Sequence, residues 1–234
     1  MSNDANIKQL ITVAVALKEL RSEVVFVGGS TTALLVDSVA SGKARQTEDV
    51  DFIVDIAVCG GSLAAFENKM RELGFKNDTS DAAPICRWII DFNGFDLKVD
   101  AMPTAEDIMG FTNCWYQKSI DTAWQYTFKP DLVINVIDPV YFLGTKIEAF
   151  KGRGNGNIFS HDLEDIVYVL EHRSGIEREV YNAEDDIKAY LSKEFGALLE
   201  HPDFENTLPG LLDDYGAIAM VLGKMQFVVD KCGV

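Results

Sequence analysis

Asp49 and Asp51 stand two residues apart in the run Asp49-Val50-Asp51-Phe52-Ile53-Val54-Asp55-Ile56. The strict alternation predicts a strand with Asp49, Asp51, Ile53 and Asp55 on one face and Val50, Phe52, Val54 and Ile56 on the other. At a rise of about 3.3 Å per residue, the two carboxylates project to one side roughly 6–7 Å apart at their Cα atoms. Hard oxygen donors without sulfur or imidazole suit Mg²⁺ or Mn²⁺. A two-metal phosphoryl-transfer site needs such acids around ions about 3.5–4 Å apart. A solvated sheet face explains an isolated Asp-x-Asp equally well, so a third acid decides. In Phe95-Asp96-Leu97-Lys98-Val99-Asp100-Ala101-Met102, residues 96, 98, 100 and 102 share a face. Asp100 or Asp96 completes an acidic triad if this strand pairs beside the first. Asp100 is preferred, because it lies towards the strand end, where loops open a cleft; Asp96 follows a turn and reads as solvated. The third acid is the one that would activate an attacking hydroxyl.

Gly28-Gly29-Ser30 follows the apolar run Val24–Val27. A strand that runs into two glycines and a capping serine aims backbone N–H groups and a helix N-terminus at one space, a site for an anion such as phosphate. Glycines let a phosphate approach closely, although strand-to-helix turns also use glycine for purely local reasons. Lys43 and Arg45, in the polar loop before Asp49, either contact phosphate or keep that loop soluble. Trp88, Trp115 and Trp124 read as core residues rather than base-stacking platforms.

The elements that position these residues are legible from periodicity. Ile7, Leu10, Ile11, Ala14, Leu17 and Leu20 predict an opening amphipathic helix, and Ser30 an N-cap for a helix through Val39. Ser62–Phe75 reads as a helix, and Cys86–Phe92 and Phe95–Met102 as strands joined at Asn93-Gly94, a two-residue hairpin turn. From Pro139 the period becomes helical: Val140, Leu143, Ile147 and Phe150 mark one helix, and Leu163, Ile166, Val167 and Leu170 the next. Between them the Gly152–Asn157 stretch is a connection or a loop that gates a cleft. Further helices are expected after Gly175, the last near Leu211–Val229. An α/β front half with a mixed sheet, followed by a helical back half, is the outcome.

The chain has 234 residues, 47% of them hydrophobic, and a net charge of −16. That excludes a disordered tail, a disulfide miniprotein and a bulk basic surface gripping nucleic acid. Residues 159–234 hold 16 Asp/Glu against 6 Lys/Arg, so a polyanionic partner would meet the earlier residues. The four cysteines, at 59, 86, 114 and 232, form no CxxC pair, and with only three histidines no zinc spacing exists. The first residues lack a basic flank before an apolar core, and no apolar run approaches the ~20 residues that span a bilayer. A soluble cytoplasmic protein with no membrane partner is expected.

The order Gly28-Gly29-Ser30, then Asp49-Val50-Asp51, then Asp100 resembles the DNA polymerase β-type nucleotidyltransferase superfamily. Arg45-x-Thr47-x-Asp49-Val50-Asp51-Phe52 is similar, more narrowly, to the abortive-infection nucleotidyltransferases, the toxins of type IV toxin–antitoxin pairs. Lys146-Ile147-Glu148-Ala149-Phe150, followed by His161-Asp162-Leu163-Glu164-Asp165-Ile166, extends the likeness, which covers roughly residues 24–172. His161 stands where that subfamily has arginine, and 18 residues between Ser30 and Asp49 exceed the superfamily's tightest spacing.

The resemblance implies an α+β fold: a nucleotidyltransferase-type mixed sheet with flanking helices over residues 1–137, and a helical region, 138–234, completing the cleft. It implies that Gly28, Gly29 and Ser30 hold the triphosphate of an NTP such as ATP, and that Asp49, Asp51 and Asp100 ligate two Mg²⁺ (or Mn²⁺). Lys146 is implied to reach a phosphate oxygen, Asp162 to orient Lys146 or a nucleotide hydroxyl, and Asp165 to support it. An Mg²⁺-dependent nucleotidyltransferase is the expected activity, its acceptor an RNA such as a tRNA 3′ end, with a cognate antitoxin as partner. The alternative is a catalytically silent nucleotide-binding or protein-interaction module on the same fold.

Overall fold

Two packed units divide the chain, one formed by Met1–Ala33 with Arg45–Asp138 and the other by Leu34–Ala44 with Pro139–Val234. The computed structural model describes residues 5–37, 40, 44–57, 61–152 and 154–233.

The first unit is built on helix α1 (Ala5–Leu17), strands β1 (Val24–Val27) and β2 (Asp49–Val54), helix α2 (Leu63–Glu72) and strands β3 (Lys76–Asn77), β4 (Arg87–Phe92) and β5 (Phe95–Pro103). Short helices α3 (Glu106–Met109) and α4 (Tyr116–Asp121) lead into strands β6 (Trp124–Lys129) and β7 (Leu132–Val136). The strands make one mixed sheet in the order β3-β4-β5-β2-β1-β7-β6. β2 runs parallel to β5 and β1 parallel to β7, while the other neighbours are antiparallel.

The alternation in the Asp49 run sets the sheet's two faces. Val50, Phe52 and Val54 are wholly buried, whereas Asp49 and Asp51 are half-buried. Ile53, on the aspartate face, is also wholly buried, so the open part of that face is confined to the start of β2. Phe52 pairs in register with Phe26 of β1, and their rings meet edge-on with centroids 6.2 Å apart. Such a pair contributes about 0.5–1.5 kcal/mol beyond its buried area. Helix α1 buries Leu10, Val13, Ala14 and Leu17 and packs against β2, β4 and β7. Ser62 caps α2 by accepting the Ala65 N–H at 3.2 Å. Asn93 and Gly94 both take positive φ (56° and 85°), as a tight hairpin between twisted strands requires.

Two local features depart from the sequence pattern. Of the helix expected over residues 30–39, residues 38 and 39 lie outside the described residues, and the described part is a short 3₁₀ turn, Gly29–Leu34. Thr31 donates both its N–H (3.2 Å) and its hydroxyl (2.8 Å) to the Gly28 carbonyl, three residues back, which favours the tighter winding. The β6–β7 hairpin was not anticipated, yet its signal is a period of two: Trp124, Tyr126 and Phe128, then Leu132, Ile134 and Val136, around Pro130-Asp131. The three aromatic rings stack edge-on along the strand, 5.8 and 4.9 Å apart.

The second unit contains α5 (Pro139–Lys151), α6 (His161–His172), α7 (Ile176–Tyr181), α8 (Asp185–Leu199), α9 (Phe204–Thr207) and α10 (Ile218–Cys232). Helix α10 packs on α6, α7 and α8, and α5 on α6, α7 and α8. Leu35 and Ala40 are tied to this unit by Arg173 donating to the Leu35 carbonyl (2.8 Å) and Tyr168 to the Ala40 carbonyl (2.6 Å). Lys224 of α10 donates to the carbonyls of Leu170 and Arg173, satisfying the C-terminal end of α6, where cations are favoured. No helix among the described residues is long and apolar enough to cross a membrane.

Candidate active site

Parallel pairing of β2 and β5 places Asp51 opposite Asp100, and Asp49 opposite Lys98. Because register partners share a face, the acids of two strands far apart in sequence converge. One carboxylate oxygen from each of Asp49, Asp51 and Asp100 lies within 4.8 Å of the others. Asp96 sits beside the exposed hairpin end, paired with Asp91, and takes no part. Asp100, towards the inner end of the strand, is 8% exposed.

Gly28 follows β1, whose last residue, Val27, pairs with Asp51. Its φ is +73°, and a Cβ there would lie 1.9 Å from Asp51 Oδ2. Two independent constraints, left-handed backbone and the carboxylate lying directly over the turn, therefore demand glycine. Gly29 is buried and Ser30 wholly so, within the 3₁₀ turn, with the Ser30 hydroxyl 3.5 Å from the Val27 carbonyl.

Arg87 of β4 is the site residue that sequence reading missed. It pairs across the antiparallel ladder with Asp100, and its guanidinium forks onto both carboxylate oxygens (Nε–Oδ1 2.8 Å, Nη2–Oδ2 2.7 Å). The same Nη2 reaches Asp49 Oδ2 at 3.3 Å. The hydrogen bonds to Asp100, working against partial burial, raise the guanidinium pKa further above its ordinary value. The available signal was the hairpin register, which fixes residue 87 opposite residue 100 once Asn93-Gly94 is taken as the turn. Beside it, burial pushes the Cys86 thiol up to about 12, with the Asp100 charge adding to the shift.

A second missed residue is Asn6 of α1, which is wholly buried. Its side-chain amide donates to the Arg45 carbonyl (2.7 Å) and accepts from the Thr47 N–H (3.0 Å), while the Thr47 hydroxyl donates to the Asp49 carbonyl (3.0 Å). One side chain thus does the work of a neighbouring strand and holds the segment that delivers Asp49. Arg45 is half-buried, and Lys43 lies outside the described residues. Trp88 and Trp115 are buried, and Trp124 is half-buried with its N–H donated to the Ile137 carbonyl at 3.1 Å.

Lys146, Asp162 and Asp165 come together in the second unit. Lys146 Nζ lies 3.0 Å from Asp162 and 2.7 Å from Asp165, with side-chain exposures of 7%, 7% and 3%. Burial opposes the ammonium, but Asp165 and Asp162 outweigh it and hold the Lys146 pKa above its ordinary value. His161 is exposed and pairs with Glu164 (3.0 Å), one turn along α6.

The donor set at the triad fits a hard divalent cation: three carboxylates, oxygen only, brought to one place by backbone register. A seven-stranded mixed sheet flanked by helices, with helices following it in sequence, is the fold of nucleotidyltransferase-like proteins. The chain is similar in structure to an antigenic nucleotidyltransferase-like protein from Paracoccidioides brasiliensis (TM-score 0.53, 16% identity, 89% of this chain and 97% of that one). It is similar also to JHP933 from Helicobacter pylori (TM-score 0.52, 12% identity, 98% and 95% of the two chains). No protein-family model and no curated protein matches the sequence.

Proposed function

We propose that the chain is a divalent-metal-dependent nucleotidyltransferase that moves a nucleotidyl group from an NTP to an acceptor hydroxyl. The observation that carries this reading is the convergence of Asp49, Asp51 and Asp100 within one ligand sphere on a nucleotidyltransferase-like fold. Asp49, Asp51 and Asp100 would hold two Mg²⁺ or Mn²⁺ ions, which supply charge neutralisation at the phosphates and acidify the attacking hydroxyl. Asp100 accepts the proton of that hydroxyl as its oxygen bonds to the α-phosphorus, and the α–β bridging bond breaks to release pyrophosphate. Gly28 lets Asp51 lie over the turn, and the Gly28-Gly29-Ser30 segment meets the triphosphate with backbone N–H groups.

Lys146 and Asp162 enter through the motif resemblance, with the lysine charge offered to a phosphate. The same resemblance, on Arg45-x-Thr47-x-Asp49-Val50-Asp51-Phe52, supports ATP among the donors, an RNA such as a tRNA 3′ end as acceptor, a cytoplasmic toxin role and a cognate antitoxin. The second reading, a silent nucleotide-binding or protein-interaction module, is favoured by one observation: Arg87 already neutralises part of the acid cluster. Incubation with each α-labelled NTP, Mg²⁺ and total RNA separates the two. Label transferred by wild type supports the enzyme; nucleotide binding with no transfer to any acceptor supports the module.

A further inference from the structure

We propose that Arg87 is a positioning residue that occupies the seat of one divalent ion, so that the nucleotide-free site takes a single ion and admits a second only with the triphosphate. The inference rests on the reading of the triad as a metal site. Nη2 of Arg87 bridges Asp100 Oδ2 (2.7 Å) and Asp49 Oδ2 (3.3 Å), oxygens of two of the three acids that would hold an ion. The bridging position between them is therefore held by a cation that belongs to the chain. The antiparallel pairing of Arg87 with Asp100 fixes that position from the backbone, and the fork onto both oxygens of Asp100 fixes its orientation. The side chain is 19% exposed, so the guanidinium is neither sealed in nor loosely solvated.

Charge counting agrees. Three carboxylates and one guanidinium sum to −2, which a single divalent ion neutralises. A second ion would leave the cluster at +2 until a triphosphate arrives with its own negative charge. The nucleotide then supplies both the ligands and the charge that allow Nη2 to leave Asp49. Arg87 would thereby couple loading of the second ion to substrate binding.

The test is Mn²⁺ titration followed by electron paramagnetic resonance on the whole chain, without nucleotide and with a non-hydrolysable NTP. Wild type is expected to bind one Mn²⁺ per chain alone and two with the nucleotide. Arg87→Gln, folded as judged by circular dichroism, is expected to bind two without nucleotide, or the first about tenfold more tightly. Arg87→Lys, which keeps the charge, is expected to remain at one. Should Arg87→Gln lose its fold, Arg87→Met, which keeps the aliphatic stem and removes the charge, takes its place with the same expectation. Two ions in nucleotide-free wild type, or identical binding by wild type and Arg87→Gln, would overturn the role of Arg87 alone. No Mn²⁺ bound by folded wild type or Arg87→Gln, with or without nucleotide, would overturn the metal reading beneath it.

Discussion

Two clusters in this molecule use the same ingredients, carboxylates around a single cationic side chain, and differ in how far water reaches them. In the sheet unit, Arg87 meets Asp49 and Asp100 with side-chain exposures of 19%, 34% and 11%. In the helical unit, Lys146 meets Asp162 and Asp165 at 7%, 7% and 3%. The sealed cluster joins α5 to α6 through its ion pairs. The open one keeps carboxylate lone pairs on a half-exposed face, where a small cation can exchange its water for protein oxygens. A buried ion network contributes little net stability but is costly to break, whereas an open acid cluster contributes repulsion that a ligand can relieve.

Substitutions at the two clusters should therefore have opposite signatures. Asp51→Asn is expected to lower nucleotidyl transfer about 10³-fold or more, while the melting temperature stays level or rises as carboxylate repulsion falls. Near wild-type transfer by this variant would remove the distinction. Lys146→Met is expected to lose about 3–5 kcal/mol of unfolding free energy, because Asp162 and Asp165 are left buried without a partner. Its activity per folded molecule should fall as well, because the lysine charge offered to a phosphate is lost. Unchanged activity, in molecules shown to be folded, would leave Lys146 only its ion pairs between α5 and α6.

The pH dependence of the sealed cluster has a definite sign. The Lys146 pKa is raised in the folded chain, so its stabilisation is complete below the unfolded lysine value of about 10.5 and is lost as pH climbs through the folded value. Urea unfolding of wild type and Lys146→Met should show a constant difference from pH 6 to 9 and a shrinking one above about pH 10.5.

Smaller effects test the support of the open cluster. Gly28→Ala is expected to cost about 1–3 kcal/mol in backbone strain and to displace the Asp51 carboxylate, whose oxygen lies where the new Cβ would sit. Asn6→Ala should cost about 1–3 kcal/mol through the stranded Arg45 carbonyl and Thr47 N–H. Smallest of all, Cys86 should resist iodoacetamide at pH 8 in the native chain while exposed Cys114 reacts, as mapped by mass spectrometry.

What was legible in the sequence follows from how local each feature is. The Asp49 strand, the Asn93-Gly94 hairpin and the α5 and α6 stripes are set by neighbours within a few residues, so periodicity and turn chemistry reveal them. The choice of Asp100 over Asp96 also came from local position along one strand. Arg87 and Asn6 were invisible because their importance is wholly non-local. Arg87 acquires its role from a register two strands away from Asp49, and Asn6 from a contact with a segment 41 residues downstream. The 3₁₀ turn at Gly29–Leu34 shows a third case, in which the threonine hydroxyl at Thr31 competes locally with the α-helical pattern read from apolar spacing.

Crystals grown with Mn²⁺ and a non-hydrolysable NTP, measured at a wavelength where manganese scatters anomalously, examine the open cluster directly. Anomalous density is expected within ligand distance of Asp49, Asp51 and Asp100, with the nucleotide phosphates beside Gly28. Bound nucleotide with no manganese at these three carboxylates, or manganese bound only elsewhere, would contradict it.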